Sequence, residues 1–276
     1  MSSHVEKHPS TFQVPKDIGY IIENDLVMIQ SGFGDRESAK SLPAGVSKGN
    51  TYIYEVQGRD DFIIRMNDSP ESHDALRSIV LSMSYDTLAD YGVNAVPYNT
   101  ATHDDKIYVV TKKVKGKNLE GALKTVPSEI LAPQIDATWK GLVGYMSDGY
   151  KNKTVVADDI ISPNQFMYGR TNGDSEDRVW LVDLGQHASV YDPTNYMYEE
   201  MLLTVAGHIV ELEQALGVRL VESRKMLSEA ILAPKEPPRP IEESEHYKQA
   251  ILRATKYSLE NSVVIGYEEE DRILSV

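Results

Sequence analysis

Between Thr51 and Met66 the chain changes character with a period near two. Thr51-Tyr52-Ile53-Tyr54-Glu55-Val56 is β-branched and aromatic, Gly58-Arg59-Asp60-Asp61 is turn chemistry, and Phe62-Ile63-Ile64-Arg65-Met66 returns. This pattern predicts a β-hairpin. Before it, the apolar residues Ile21, Ile22, Leu26, Val27, Met28 and Ile29 within Tyr20 to Gln30 predict a first strand with a turn at Asn24-Asp25. Residues Ser31 to Gly49, rich in Gly, Ser and Pro, read as loop. Leu76, Ile79, Val80, Met83 and Leu88 recur at helical spacing from Asp74 to Tyr91 and stop at Gly92. Val93 to Tyr98 and Ile107 to Thr111 predict two further strands joined by the polar turn Thr102 to Asp105.

After Gly116 the period lengthens to about 3.6. Ser128 to Ser147 predicts a helix, followed by a short apolar segment at Val155-Val156. Phe166 to Tyr168 and Val179 to Val182 predict short paired strands around the loop Gly169 to Arg178. Met201, Leu202, Val205, Ile209, Leu212 and Leu216 line one face of a helix from Met197 to Leu216, ended by Gly217. Val221 to Leu232 and Tyr247 to Ser258 predict further helices, separated by a linker at 233–246 that carries Pro234, Pro237, Pro238 and Pro240. The organisation expected is a loose tail at 1–19, a strand-rich lobe at 20–112 and a helical lobe at 113–276. The fold class is α+β with segregated halves. The junction near Lys112 to Gly116 is where a ligand cleft is expected.

Composition narrows the functions open to such a chain. It has 276 residues, of which 41% are hydrophobic, enough for a real core. No Cys is present, so disulfides, Cys-ligated zinc, iron–sulfur sites and thiol nucleophiles are excluded. With 42 Asp+Glu against 28 Lys+Arg, the formal net charge is -14, which argues against a partner that is nucleic acid. The most apolar long segment, Met201 to Leu216, is interrupted by His208, Glu211 and Glu213, and Met1 to Lys16 has no apolar signal core. A soluble cytoplasmic protein that does not engage membrane is expected; no pattern fixes its oligomeric state. His73, His103, His187 and His208 lack metal-ligand spacing and read as surface or core residues. The 16 tyrosines, without a basic field around them, read as packing residues. The run Lys112, Lys113, Lys115 and Lys117 reads as a solvated face.

Three features carry chemistry by their order. Arg65 lies near the end of the strand Phe62 to Met66. Asp159 and Asn164 stand five residues apart in Asp159-Ile160-Ile161-Ser162-Pro163-Asn164. Nineteen residues beyond Asn164, the apolar strand Val179-Trp180-Leu181-Val182 delivers Asp183 into a Leu184-Gly185 turn. Phosphoryl transfer uses such groups. An Asp orients or deprotonates the acceptor hydroxyl, an Asn and a second Asp hold Mg²⁺ on the nucleotide phosphates, and a cation neutralises phosphate oxygens.

In these residues the chain resembles the protein-kinase-like superfamily, and more closely its aminoglycoside phosphotransferase and choline kinase branch than protein kinases. Pro43 to Tyr52 through Phe62 to Arg65 resembles that branch's first three strands with their loop over the phosphates. Asp90 to Pro97 resembles the segment after its lobe-bridging helix, and Val109 to Leu119 its hinge. Asp159 to Asn164 matches its catalytic loop and Asp183-Leu184-Gly185 its metal-binding turn; the resemblance spans Leu42 to Gly185.

The resemblance implies a two-lobed fold, an antiparallel-sheet lobe that binds nucleotide and a mainly helical lobe. It implies ATP and Mg²⁺ as cofactors and a small-molecule acceptor, aminoglycoside- or choline-like. Asp159 would be catalytic; Asn164 and Asp183 would ligate the metal. Arg65, Gly45, Ser47 and Gly49 would contact phosphates, and backbone groups of Lys112 and Val114 would face the adenine. A second reading stays open, a pseudokinase serving as a nucleotide-binding or protein-interaction module. It is favoured by Asp158 where the family has a His-Arg or His-Gly pair, and by the absence of Glu from Asp74 to Tyr91, which leaves Glu71, Asp74 or Asp86 to pair Arg65. The acidic balance favours a cationic acceptor.

Overall fold

The computed structural model of the chain describes residues 13–32, 51–67, 87–104, 106–152, 156–157, 160–182, 188–189 and 197–232. The chain divides into two compact units. One falls within Met1–Ser82, Val96–Lys115 and Arg170–Ser175, the other within Met83–Ala95, Gly116–Gly169 and Glu176–Val276. The expected helix Tyr247 to Ser258, the linker at 233–246, and most of the helix expected from Asp74 lie outside the described residues.

The first unit is built on five antiparallel strands, β1 (Leu26–Gly32), β2 (Thr51–Val56), β3 (Arg59–Asn67), β4 (Tyr98–His103) and β5 (Lys106–Lys112). They lie in the order β1-β2-β3-β5-β4. Alternation along the strands decides which side is core. Phe62 and Ile64 of β3, Tyr108 and Val110 of β5, and Val56 of β2 are buried together with Ile21. Ile21 belongs to α1 (Ile18–Asn24), whose Ile18 and Ile22 also pack on this cluster.

Three boundaries differ from the sequence expectation. The apolar run from Tyr20 is not one strand: Ile18, Ile21 and Ile22 recur at i, i+3 and i+4, and that face folds as helix onto the sheet. The helix ends where the Asp25 amide bonds the Ile21 carbonyl at 2.9 Å, and β1 begins one residue later. The β2–β3 turn is only Gln57-Gly58, with Gly58 at φ 74°, so Arg59-Asp60-Asp61 joins the strand. Val93 to Pro97 is not a strand beyond a single bridge at Ala95; β4 starts at Tyr98, runs through Thr102-His103, and turns at Asp104, φ 48°.

The second unit is mainly helical. After β6 (Lys115–Asn118) come α2 (Leu119–Thr125), capped by the Asn118 side chain on the Gly121 amide, and α3 (Ser128–Asn152), five residues longer than the apolar spacing implies. Then follow β7 (Val156–Ala157), a 3₁₀ turn at Pro163–Gln165, β8 (Phe166–Arg170), β9 (Arg178–Leu181), β10 (Ala188–Ser189), α4 (Met197–Leu216) and α5 (Val221–Leu232). β8 and β9 pair antiparallel as expected, with Phe166 opposite Leu181, and β6 flanks β8. α4 and α5 occupy the expected residues, and α4 ends on Gly217 at φ 70°. The architecture is α+β, an antiparallel-sheet unit and a mainly helical unit, as the segregated periods of the sequence imply. No helix among the described residues is long and apolar enough to cross a membrane.

α3 is the axis of the second unit. From Thr138 to Gly149 no residue is exposed. Residues 87–95 cross it where Gly141 and Gly144 leave room, and Tyr91 packs edge-on against Tyr145 and donates to Asp148 at 2.8 Å. Burial, followed by that bond, pushes the Tyr91 phenol up to about 12. α5 docks through Asp136 of α3, whose carboxylate accepts from the Glu222 and Ser223 amides and the Ser223 hydroxyl, an N-cap supplied from another helix. Arg224 of α5 forms a buried bidentate pair with Glu213 of α4.

A Cβ at Gly141 would lie 2.4 Å from the Tyr91 carbonyl oxygen, whereas one at Gly144 meets only the Tyr91 ring, at 3.2 Å. Replacing a helical Gly by Ala gains about 1 kcal/mol of propensity, and backbone overlap costs about 1–3 kcal/mol. In urea denaturation Gly141→Ala is expected to be clearly destabilised and Gly144→Ala to stay near wild type. Equal effects at the two positions would refute the close crossing.

Candidate functional site

The segment expected to carry catalysis is anchored from both ends. Ile160 and Ile161 are buried, and the Gln165 amide bonds the Ser162 carbonyl to close the 3₁₀ turn, on which Asn164 is exposed. Pro163 at the start of that turn supplies its preset φ. Phe166 then enters β8 and packs fully buried against Trp139, ring centroids 4.9 Å apart.

β9, the strand that leads to Asp183, is held on both edges. β8 pairs one edge. On the other, Leu181 bridges Ala95 in parallel and its amide bonds the Asn94 carbonyl at 2.8 Å. The Asn94 side chain donates to the Val179 carbonyl at 3.3 Å, and Gln134 of α3 accepts from the Val179 amide at 3.0 Å. Beyond Leu181, the Val182 amide bonds the Gln165 carbonyl at 2.9 Å. The residue before Asp183 is therefore tied to the residue after Asn164.

Asp159, Asp183, Gly45, Ser47 and Gly49 lie outside the described residues, as do Asp158, Glu71, Asp74, Asp86, His73 and His187. Among the described residues no cluster of three or more His, Asp or Glu is grouped to hold a metal.

In the first unit, strand register sets the face on which Arg65 stands, whereas Lys112 is in register with Phe62 of the core face. Ile53, Arg65, Val109 and Thr100 stand opposite one another across four strands, and Glu55, Ile63, Thr111 and Tyr98 form the next row. This is the face opposite to the Phe62, Ile64 and Val110 core. Arg65 is half-buried in it. Lys112 closes β5, its amide bonded to the Pro97 carbonyl, and the Lys113 amide is bonded to the Asp61 carbonyl, both at 3.0 Å. Val114 is buried.

The lysine run is not a bare solvated face. Lys113 pairs with Glu55 at 2.5 Å, Lys115 with Asp60, and Lys117 donates to the Thr125 hydroxyl at 2.9 Å. Lys115 holds the Asp60 carboxyl below its usual range, mainly through their hydrogen bond. Gly116, between them, sits so close to β8 that a Cβ would lie 2.0 Å from the Tyr168 carbonyl oxygen.

Three residues near these positions escaped sequence reasoning. Thr111 is buried on the Arg65 face, and its hydroxyl has no hydrogen-bond partner among the described residues. A β-branched hydroxyl ending an apolar strand was the available signal. Gln134 looks like an ordinary surface position on α3, and its role depends on a strand 45 residues away. His208 of α4, read as bland, contacts the Ile161 carbonyl at 2.9 Å through Nδ1.

No family model and no curated protein matches the chain. Among solved structures, the chain is similar to the pseudokinase domain of BIR2, an immune regulator of the RLK/Pelle family. Identity is 12%, the match covers 90% of this chain and 92% of that one, and the TM-score is 0.42.

Gln134→Leu removes the partner of the buried β9 edge and leaves the Val179 amide unsatisfied, a loss of about 1–3 kcal/mol. Denaturant unfolding is expected to show that loss, with faster hydrogen exchange at Val179. Unchanged exchange there would mean that β8 pairing alone holds the strand.

Proposed function

We propose that the chain is an ATP- and Mg²⁺-dependent phosphotransferase acting on a hydroxyl of a small molecule. The observation that carries this reading is the Val182–Gln165 bond. It ties the residue after Asn164 to the residue before Asp183, and these are the two residues that the sequence resemblance assigns to the metal. Their donor set, an amide oxygen and a carboxylate, suits a hard divalent cation such as Mg²⁺. When bound, the ion would neutralise charge on the transferring phosphate.

The chain's own residues supply the rest. Asp159 orients the acceptor hydroxyl and takes its proton. Arg65, on the sheet face opposite the core, contacts phosphate oxygens with a guanidinium fork. Gly45, Ser47 and Gly49 would contact the phosphates. Backbone groups of Lys112 and Val114 would face the adenine. The net charge of -14 favours an amine-bearing alcohol as acceptor over an anionic one.

Two measurements test the reading. In a thermal-shift titration, wild type is expected to be stabilised by ATP with Mg²⁺ more than by ATP alone, and Asp183→Asn to lose the Mg²⁺-dependent part. An unchanged Mg·ATP response in the variant removes Asp183 from the metal site. In an ATP-consumption assay with amine-bearing alcohols, Asp159→Asn is expected to lower kcat by at least about 100-fold with nucleotide binding intact, and Asp158→Asn to retain turnover. If wild type binds Mg·ATP and transfers to no acceptor tested, the chain is a nucleotide-binding module of the pseudokinase kind.

A further inference from the structure

We infer that His208 is a positioning residue for the loop that carries Asp159 and Asn164. The inference deepens the phosphotransferase reading and rests on it for its kinetic consequence. Its geometric basis stands independently: the His208 ring nitrogen Nδ1 lies 2.9 Å from the Ile161 carbonyl oxygen. A carbonyl only accepts, so Nδ1 carries the proton and donates.

Ile161 follows Asp159 by two residues and precedes Asn164 by three. The buried side chains of Ile160 and Ile161 anchor this stretch to the core. Apolar contacts of that kind are non-directional, and they leave the peptide plane between Ile161 and Ser162 free to rotate. The His208 bond fixes that plane. Rotation there would pass along the chain toward Asn164 on the 3₁₀ turn, and misplacement of a reacting group by about 1 Å costs about 100-fold in rate.

The donor itself is mounted rigidly. Val205, Ile209 and Leu212 on the same helix are buried, and α4 ends in the Glu213–Arg224 pair with α5. His208 is half-buried and Ile161 is buried, so water is partly excluded from the bond.

Three variants separate positioning from simple packing. His208→Asn keeps a donor near the place of Nδ1, His208→Gln moves the donor to the place of Nε2, and His208→Leu removes it. With Mg·ATP and an acceptor that wild type turns over, Leu and Gln are expected to lower kcat about 10- to 100-fold with KM for ATP within about twofold, and Asn to recover most of the rate. Hydrogen exchange is expected to quicken at the Gln165 and Phe166 amides in the Leu and Gln variants and to return toward wild type in Asn. Should His208→Leu not fold, the Asn–Gln comparison decides. If Asn and Gln behave alike in both rate and exchange, His208 is packing and the inference fails. If wild type transfers no phosphate, the phosphotransferase reading fails by itself, and the exchange pattern alone still supports or overturns the positioning role.

Discussion

The burial of α3 on all its sides from Gly141 to Met146 is the constraint from which the helical unit follows. Six consecutive buried residues, over one and a half helical turns, leave no face of the helix for water there, so every neighbour must be shaped to it. Trp139 meets Phe166 of β8, Gly141 and Gly144 admit the Tyr91 segment, and Asp136 caps α5. Ser128 at its first turn donates to the Leu216 carbonyl at the end of α4 at 2.8 Å. The helix thus touches strands and helices whose mutual arrangement is then largely determined. Glycine at position 141 is the plainest mark of this constraint, because a helix accepts that conformational cost only where a neighbouring backbone needs the space.

The order of the candidate site is a consequence of the same packing. β9 is short, and four residues of strand pairing alone make a weak scaffold. Gln134 from α3 and the Asn94-Ala95 segment, itself seated on α3 through Tyr91, complete its hydrogen bonding. With both edges of β9 satisfied, Val182 has one direction to leave in, and its amide meets Gln165. A helix buried for apolar reasons therefore sets where Val182 meets Gln165.

What could be read from the sequence follows from which forces are local. The hairpin β2–β3, the pair β8–β9, and helices α4 and α5 were legible because each writes its own period into the chain and stops near a Gly, Asp or Pro. Tyr20 to Gln30 was not, since a short apolar run satisfies a helix and a strand equally until Ile21 finds a sheet to cover. The order of Arg65, Asp159, Asn164 and Asp183 was legible as motif, and the strand register places Arg65 on the sheet face away from the core. Gln134, Asp136 and His208 were illegible: each is a polar residue on a helix whose partner is 45, 87 and 47 residues away, and no local pattern distinguishes it from a solvated one.

Those three side chains also show how polar groups act in this fold. A satisfied hydrogen bond adds only about 1 kcal/mol net, but a buried donor or acceptor left alone costs about 1–3 kcal/mol. Apolar burial decides that α3, α4 and α5 associate, and it would tolerate small rotations and slips among them. The penalty for an unmatched amide at Val179, Ser223 or carbonyl at Ile161 removes those alternatives one by one. Against a total stability of about 5–15 kcal/mol, two or three such penalties suffice to select a single register. The directional information in the helical unit is carried by residues that composition counts as surface.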